Sequence, residues 1–85
     1  MSRKNQETWI YQITPTMKLA EKKCNQRGIF MEIVIKHERY DYVHLRYKDE
    51  TVDKISPKPY LSKKEAEMVM YNHYIKICEK LKIPL

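Results

Sequence analysis

The sequence predicts an α+β fold: a three-stranded antiparallel sheet packed by a shorter N-terminal helix and a long C-terminal helix. Three observations carry this. Residues 62–81 repeat apolar side chains at helical spacing behind an S-x-x-E start. Residues 14–28 begin with Thr-Pro and end at the only glycine in the chain. Between them lie two stretches rich in β-branched and aromatic residues, separated by a short polar turn. A chain of 85 residues suits one domain with a small core.

In chain order, residues 1–7 (MSRKNQE) are polar and basic, and read as a flexible arm ahead of a single domain over 8–85. Residues 8–13 (TWIYQI) suit a short strand with Trp9, Tyr11 and Ile13 on one side. Thr14 is a natural N-cap and Pro15 fits the first helical position, where a missing N–H costs nothing. Met17, Ala20 and Cys24 follow at helical spacing, and Gly28 suits the left-handed position past the end, so the first helix is expected over 15–27; a β-hairpin turning at Thr14-Pro15 is the competing reading. Residues 29–36 form an apolar strand. Residues 40–48 alternate, with Val43, Leu45 and Tyr47 on the packed face and Tyr42, His44, Arg46 and Lys48 on the wet one. A third strand is expected over 51–55. The prolines of Ser56-Pro57-Lys58-Pro59 make a stiff connection to the last helix. There, Ser62 and Glu65 are expected to form a capping box. Ala66, Val69, Met70, His73, Tyr74, Ile77 and Leu81 mark the apolar stripe.

The formal net charge of +6 favours a polyanionic partner. Lys58, Lys63 and Lys64 cluster at the start of the last helix, where bare N–H groups already favour an anion. Lys18 and Lys22 spread over the outer side of the first helix. Arg46, interleaved with Tyr42 and His44, gives the sheet a mixed aromatic and basic face that suits stacking or plain cross-strand pairing.

Nothing in the sequence points to catalysis. One glycine leaves no phosphate loop, and His37, His44 and His73 are scattered with no metal-ligand spacing, so neither a metal nor a cofactor is expected. His73, on the apolar stripe, reads as a core histidine. Cys24 and Cys78 fall at apolar helix positions and read as buried free thiols. Residues 1–10 show no secretory signal, and no apolar run approaches the roughly 18 residues of a membrane span. The expected location is cytoplasmic or nuclear, or the host-cell cytoplasm for a viral protein.

The order helix, three strands, helix, with Pro15-Thr16-Met17-Lys18-Leu19-Ala20-Glu21 opening the first helix and Ser62-Lys63-Lys64-Glu65-Ala66 the second, resembles the double-stranded-RNA-binding domain. The likeness covers residues 14–81. It implies that Lys63 and Lys64 grip phosphates across an RNA groove. It also implies that Glu21, or a neighbour on the first helix, faces the minor groove, since such domains read duplex RNA by shape. Two departures stand out: Glu67 occupies a position that is basic in that family, and the turn at His37-Glu38-Arg39-Tyr40 lacks the family's Gly-Pro segment. A three-stranded sheet with one helix also occurs in small DNA-binding modules of the integrase-arm type, which face nucleic acid with the sheet.

A second reading comes from the last helix itself. Met68, Tyr71, Ile75 and Cys78 form an apolar stripe beside the main one, more than one core face needs. A flank of Met68, Tyr71 and Ile75 is expected to hold a protein partner or a second copy. Small basic proteins of viral or mobile-element origin modulate larger nucleic-acid-processing machines in this way.

Overall fold

The computed structural model describes residues 12–85. The expected arm over 1–7, and the strand over 8–13 apart from its last two residues, lie outside the described residues. Ile13 packs against the core. The elements run α1 (Pro15–Gln26), β1 (Phe30–His37), β2 (Asp41–Lys48), β3 (Asp53–Ile55) and α2 (Lys63–Lys80). The strands form one antiparallel sheet in the order β1-β2-β3.

Local chemistry sets the boundaries. Thr14 Oγ1 accepts the Met17 N–H at 3.2 Å, and the Thr14 N–H points back at the Met17 sulfur at 3.4 Å, so the cap works in both directions. At the other end of α1, Gly28 adopts φ +78°, the Gly28 N–H donates to the Asn25 C=O at 3.0 Å, and the Ile29 N–H donates to the Cys24 C=O at 3.0 Å. This is a Schellman ending, and glycine removes the Cβ clash of the left-handed residue. The same motif ends α2. The Lys82 N–H donates to the Glu79 C=O and the Ile83 N–H to the Cys78 C=O, with Lys82 at φ 58°.

The first hairpin turns through Glu38-Arg39-Tyr40 between the paired His37 and Asp41. The second turn takes more of the chain than expected. Asp49 Oδ1 accepts the N–H groups of Thr51 and Val52, both at 2.8 Å, and the Asp49 N–H donates to the Val52 C=O. These bonds hold Thr51 and Val52 in the turn, so β3 keeps only three residues. The Tyr47 hydroxyl donates to the same Asp49 carboxylate at 2.7 Å. That bond, with the backbone donors, holds the Asp49 pKa down at about 2.

The core joins Ala20 and Cys24 of α1, Leu45 of β2, Ile83, and Ala66, Met70, Tyr71, Tyr74 and Cys78 of α2. The buried stripe of α2 is therefore rotated from the expected one. His73 is exposed, contrary to a core role, and Leu81 is half exposed. The reason is that α2 has two neighbours. It lies on the sheet, and it also packs closely along α1, which draws Tyr71 and Cys78 inward. Small side chains permit the approach: Ala20, Cys24, Ala66 and Cys78 are all wholly buried. The thiols bond reciprocally across the helices. Cys24 Sγ donates to the Tyr74 C=O at 3.7 Å and Cys78 Sγ to the Ala20 C=O at 3.8 Å, with the two sulfurs 3.8 Å apart. Both are free, and burial pushes Cys24 up to about 12, which keeps it an unreactive thiol.

Candidate nucleic-acid interface

Ser62 caps α2 in extended backbone, its Oγ accepting the Glu65 N–H at 3.1 Å. The other half of the expected box differs: the Glu65 carboxylate accepts the Leu61 N–H at 3.2 Å instead of that of Ser62. The reach is one residue longer, and it fixes the approach of the loop to the helix. Lys63 and Lys64 stand exposed in the first turn.

Lys58 lies in the loop that leads into α2. The Ser56 N–H donates to the Leu45 C=O at 2.7 Å, and the Tyr60 N–H donates to the Val43 C=O at 2.7 Å, so both ends of the loop are tied to the edge of β2. Pro57 and Pro59 have no N–H to continue that ladder. The segment between the ties leaves the edge, and Lys58 sits exposed between two stiff prolines. Lys58, Lys63 and Lys64 thus occupy one anchored loop and one capped helix turn. Leu61, between them, is 94% exposed.

The remaining basic residues divide. Lys18 and Lys22 are exposed on α1. Glu21 is turned toward α2, where its carboxylate accepts the Tyr71 hydroxyl at 3.4 Å. Arg46 is not a free cation. It lies on the sheet face opposite the helices, where Nε and Nη2 donate to the Asp53 carboxylate at 2.8 and 2.6 Å, and Glu32 lies 3.5 Å from Nη1. The hydrogen bonds to Asp53 raise the Arg46 pKa above its ordinary value and lower that of Asp53. A guanidinium occupied by two acids offers little to a phosphate.

His44 also departs from the wet-face expectation. It is 6% exposed, and its Nδ1 donates to the Ser56 C=O at 2.9 Å, so this ring helps pin the loop to the sheet. The alternation along β2 correctly places His44 away from the helices. What buries it is the returning loop, since Pro57 and Pro59 line the same hollow.

The expected partner-binding flank of α2 is largely inside the fold. Met68 and Tyr71 are 8% and 6% exposed, and Ile75 is half-buried against the core. For Tyr71, whose hydroxyl reaches Glu21, the presence of α1 explains this, because two packed neighbours need a wider apolar face than one. A more open apolar groove of about 560 Å³ lies on the other side of α2. His73 and Ile77 form one wall, Leu45 and Tyr47 the floor, and Val52 and Ile55 the far side.

The residue that sequence reasoning undervalued is Tyr74. It is 1% exposed, and its hydroxyl accepts the Met31 N–H at 2.6 Å while donating to the Met31 C=O at 3.3 Å. It fastens α2 to the start of β1. Burial pushes its pKa up to about 12. The helical period marks Tyr74 as core, but no local signal announces its hydrogen-bond partner 43 residues away.

Among the described residues no group of three or more His, Cys, Asp or Glu side chains is arranged to hold a metal ion. No helix is long and apolar enough to cross a membrane among the same residues. No protein-family model, no curated protein and no solved structure matches the chain.

Proposed function

We propose that the protein binds duplex RNA without catalysis, through the phosphate backbone, at the start of α2. The observation that carries this is the set Lys58, Lys63 and Lys64, held exposed by a tied loop and a capped helix end, in a chain ordered α1-β1-β2-β3-α2. That order and the S-K-K-E-A start resemble those of the double-stranded-RNA-binding domain, and the resemblance implies that Lys63 and Lys64 grip phosphates across a groove. Free N–H groups in the first turn of α2 and the positive end of its dipole add to the attraction for phosphate. Lys18 and Lys22 on α1 extend the basic surface. Arg46 is left out of this reading because Asp53 and Glu32 already hold it.

The test is a titration of labelled RNA duplex, followed by fluorescence anisotropy over a range of salt. Affinity is expected to fall steeply with salt, with a slope of about one unit in log K against log salt for each phosphate neutralised. Lys63→Glu with Lys64→Glu is expected to lower affinity at least about tenfold at low salt and to flatten the slope by about two. Binding that ignores this double change overturns the assignment of the lysines. Equal affinity for single strands overturns the duplex. Co-purified nucleic acid is visible as a raised 260/280 absorbance ratio on size-exclusion chromatography.

A further inference from the structure

The two edges of the sheet are unlike. At one, β3 is three residues long with Asp53 and Lys54 exposed, a short charged edge of the kind that resists pairing. At the other, β1 is eight residues long and reads FMEIVIKH.

The backbone of β1 can be oriented from its neighbours. Leu45 faces Ile33 and Val43 faces Ile35 across the β1–β2 ladder. Leu45 and Val43 turn their backbone groups away from β1: the Leu45 C=O accepts from Ser56, the Leu45 N–H donates to the Ser56 hydroxyl, and the Val43 C=O accepts from Tyr60. Facing residues of an antiparallel pair share one bonding type, so Ile33 and Ile35 also point their N–H and C=O outward, onto the free edge. Met31 follows the same alternation, and there the Tyr74 hydroxyl satisfies both groups. Among the described residues nothing bonds the outward groups of Ile33 and Ile35.

The sequence of this edge is complementary to itself. In Glu32-Ile33-Val34-Ile35-Lys36, an antiparallel copy centred on Val34 sets Ile33 against Ile35 and Glu32 against Lys36, twice over. The register that matches charges is also the one that pairs outward-pointing residues with each other. Both requirements meet without adjustment, and opposite charges directly across a ladder are favourable.

We propose that two copies of the chain join through their β1 edges, antiparallel about a two-fold axis at Val34, making one continuous sheet from two three-stranded ones. The axis makes the interface self-complementary, as in most homodimers. It stands apart from the lysines of α2, so it is independent of the RNA reading.

The experiment is sedimentation equilibrium of the full chain across micromolar to millimolar concentration, without nucleic acid. The wild type is expected to move from one chain mass to two. Lys36→Glu sets Glu32 against an acid at both ends, and Glu32→Lys sets Lys36 against a cation; each alone is expected to stay monomeric. An equimolar mixture of the two restores both charge pairs and is expected to form a heterodimer. Glu32→Lys also parts the exposed 3.5 Å contact to Arg46, so the circular dichroism of each variant is checked first. Ile35→Pro removes an outward N–H and no ladder bond, because its N–H lies on the free edge and its side chain is outside the core cluster. It is expected to weaken association at least tenfold while the fold is kept. A wild type that remains monomeric throughout overturns the proposal, including where slow amide exchange shows the edge covered by the chain itself. So does a mixture that stays monomeric, or a dimer indifferent to Ile35→Pro.

Discussion

The two ends of α2 are built for opposite purposes. Its start faces solvent: Ser62, Lys63 and Lys64 are exposed, the cap bonds through Ser62 and Glu65 set its beginning, and Ala66 alone of its first turn is core. Its last two turns contain Tyr74 and Cys78, buried between α1 and the sheet, and end in a Schellman motif whose Ile83 is itself core. The lesson is separability. The basic end can be rewritten with little consequence for the fold, whereas the far end can scarcely be touched.

The largest expected break is at Tyr74. Tyr74→Ala leaves a cavity at the junction of α1, α2 and β1, and is expected to cost about 3–5 kcal/mol in denaturant unfolding. Tyr74→Phe keeps the ring and removes only the hydroxyl that satisfies the Met31 N–H and C=O. Its expected cost is about 1–3 kcal/mol. A Phe variant as stable as wild type denies the hydroxyl its role as a fastener.

Alkaline pH tests the same end. Cys24 and Tyr74 are raised from 9.0 and 10.0 to about 12 each. The unfolded chain releases these protons first, so the stability they lend is whole below pH 9 and is lost as the pH climbs toward 12. The expected slope is about 1.4 kcal/mol per pH unit for each group, read from urea midpoints between pH 8 and 11. A flat profile contradicts the burial of these two groups.

Smaller effects sharpen the contrast at the helix ends. Ser62→Ala is expected to cost about 1 kcal/mol, the usual worth of an N-cap, and a thermal melt reads it. Lys82 occupies a left-handed position that Gly28 fills in α1. Lys82→Gly is expected to gain about 0.5 kcal/mol, the relief of backbone strain less the entropy of a new glycine. Smallest in magnitude, and reversed in sign, is Lys63→Glu with Lys64→Glu. Acids at a helix N-terminus are favourable, so this pair is expected to stabilise the fold by a few tenths of a kcal/mol while weakening RNA binding. A loss of stability instead shows that the lysines are structural.

Local rules made much of this legible. The caps at Thr14 and Ser62, the glycine at 28 and the alternation along β2 depend on residues a few positions apart, so spacing alone reveals them. Burial that depends on a distant segment leaves no such local mark. His73 has helical spacing but stands exposed at the wall of the open groove between α2 and the sheet. His44 alternates outward, yet the proline loop returns over it. Arg46 looks free until Asp53, seven residues on in the next strand, is folded against it.

The sequence by itself determined the element order, the helix ends, the packed face of β2 and the basic start of α2. These follow from periodicity and from capping chemistry, which act within a few residues. Only the tertiary structure decided which stripe of α2 is core, because α1 and the sheet approach it from two directions. The same assembly buries Met68 and Tyr71, pairs the two thiols and fixes Tyr74 to Met31. It also leaves one long strand edge on which the outward backbone groups of Ile33 and Ile35 are unbonded by the described residues. The physical reason is common to all: burial and hydrogen-bond satisfaction are properties of what lies across the gap, and the chain that lies there is 40 or more residues away for Tyr74 and both cysteines.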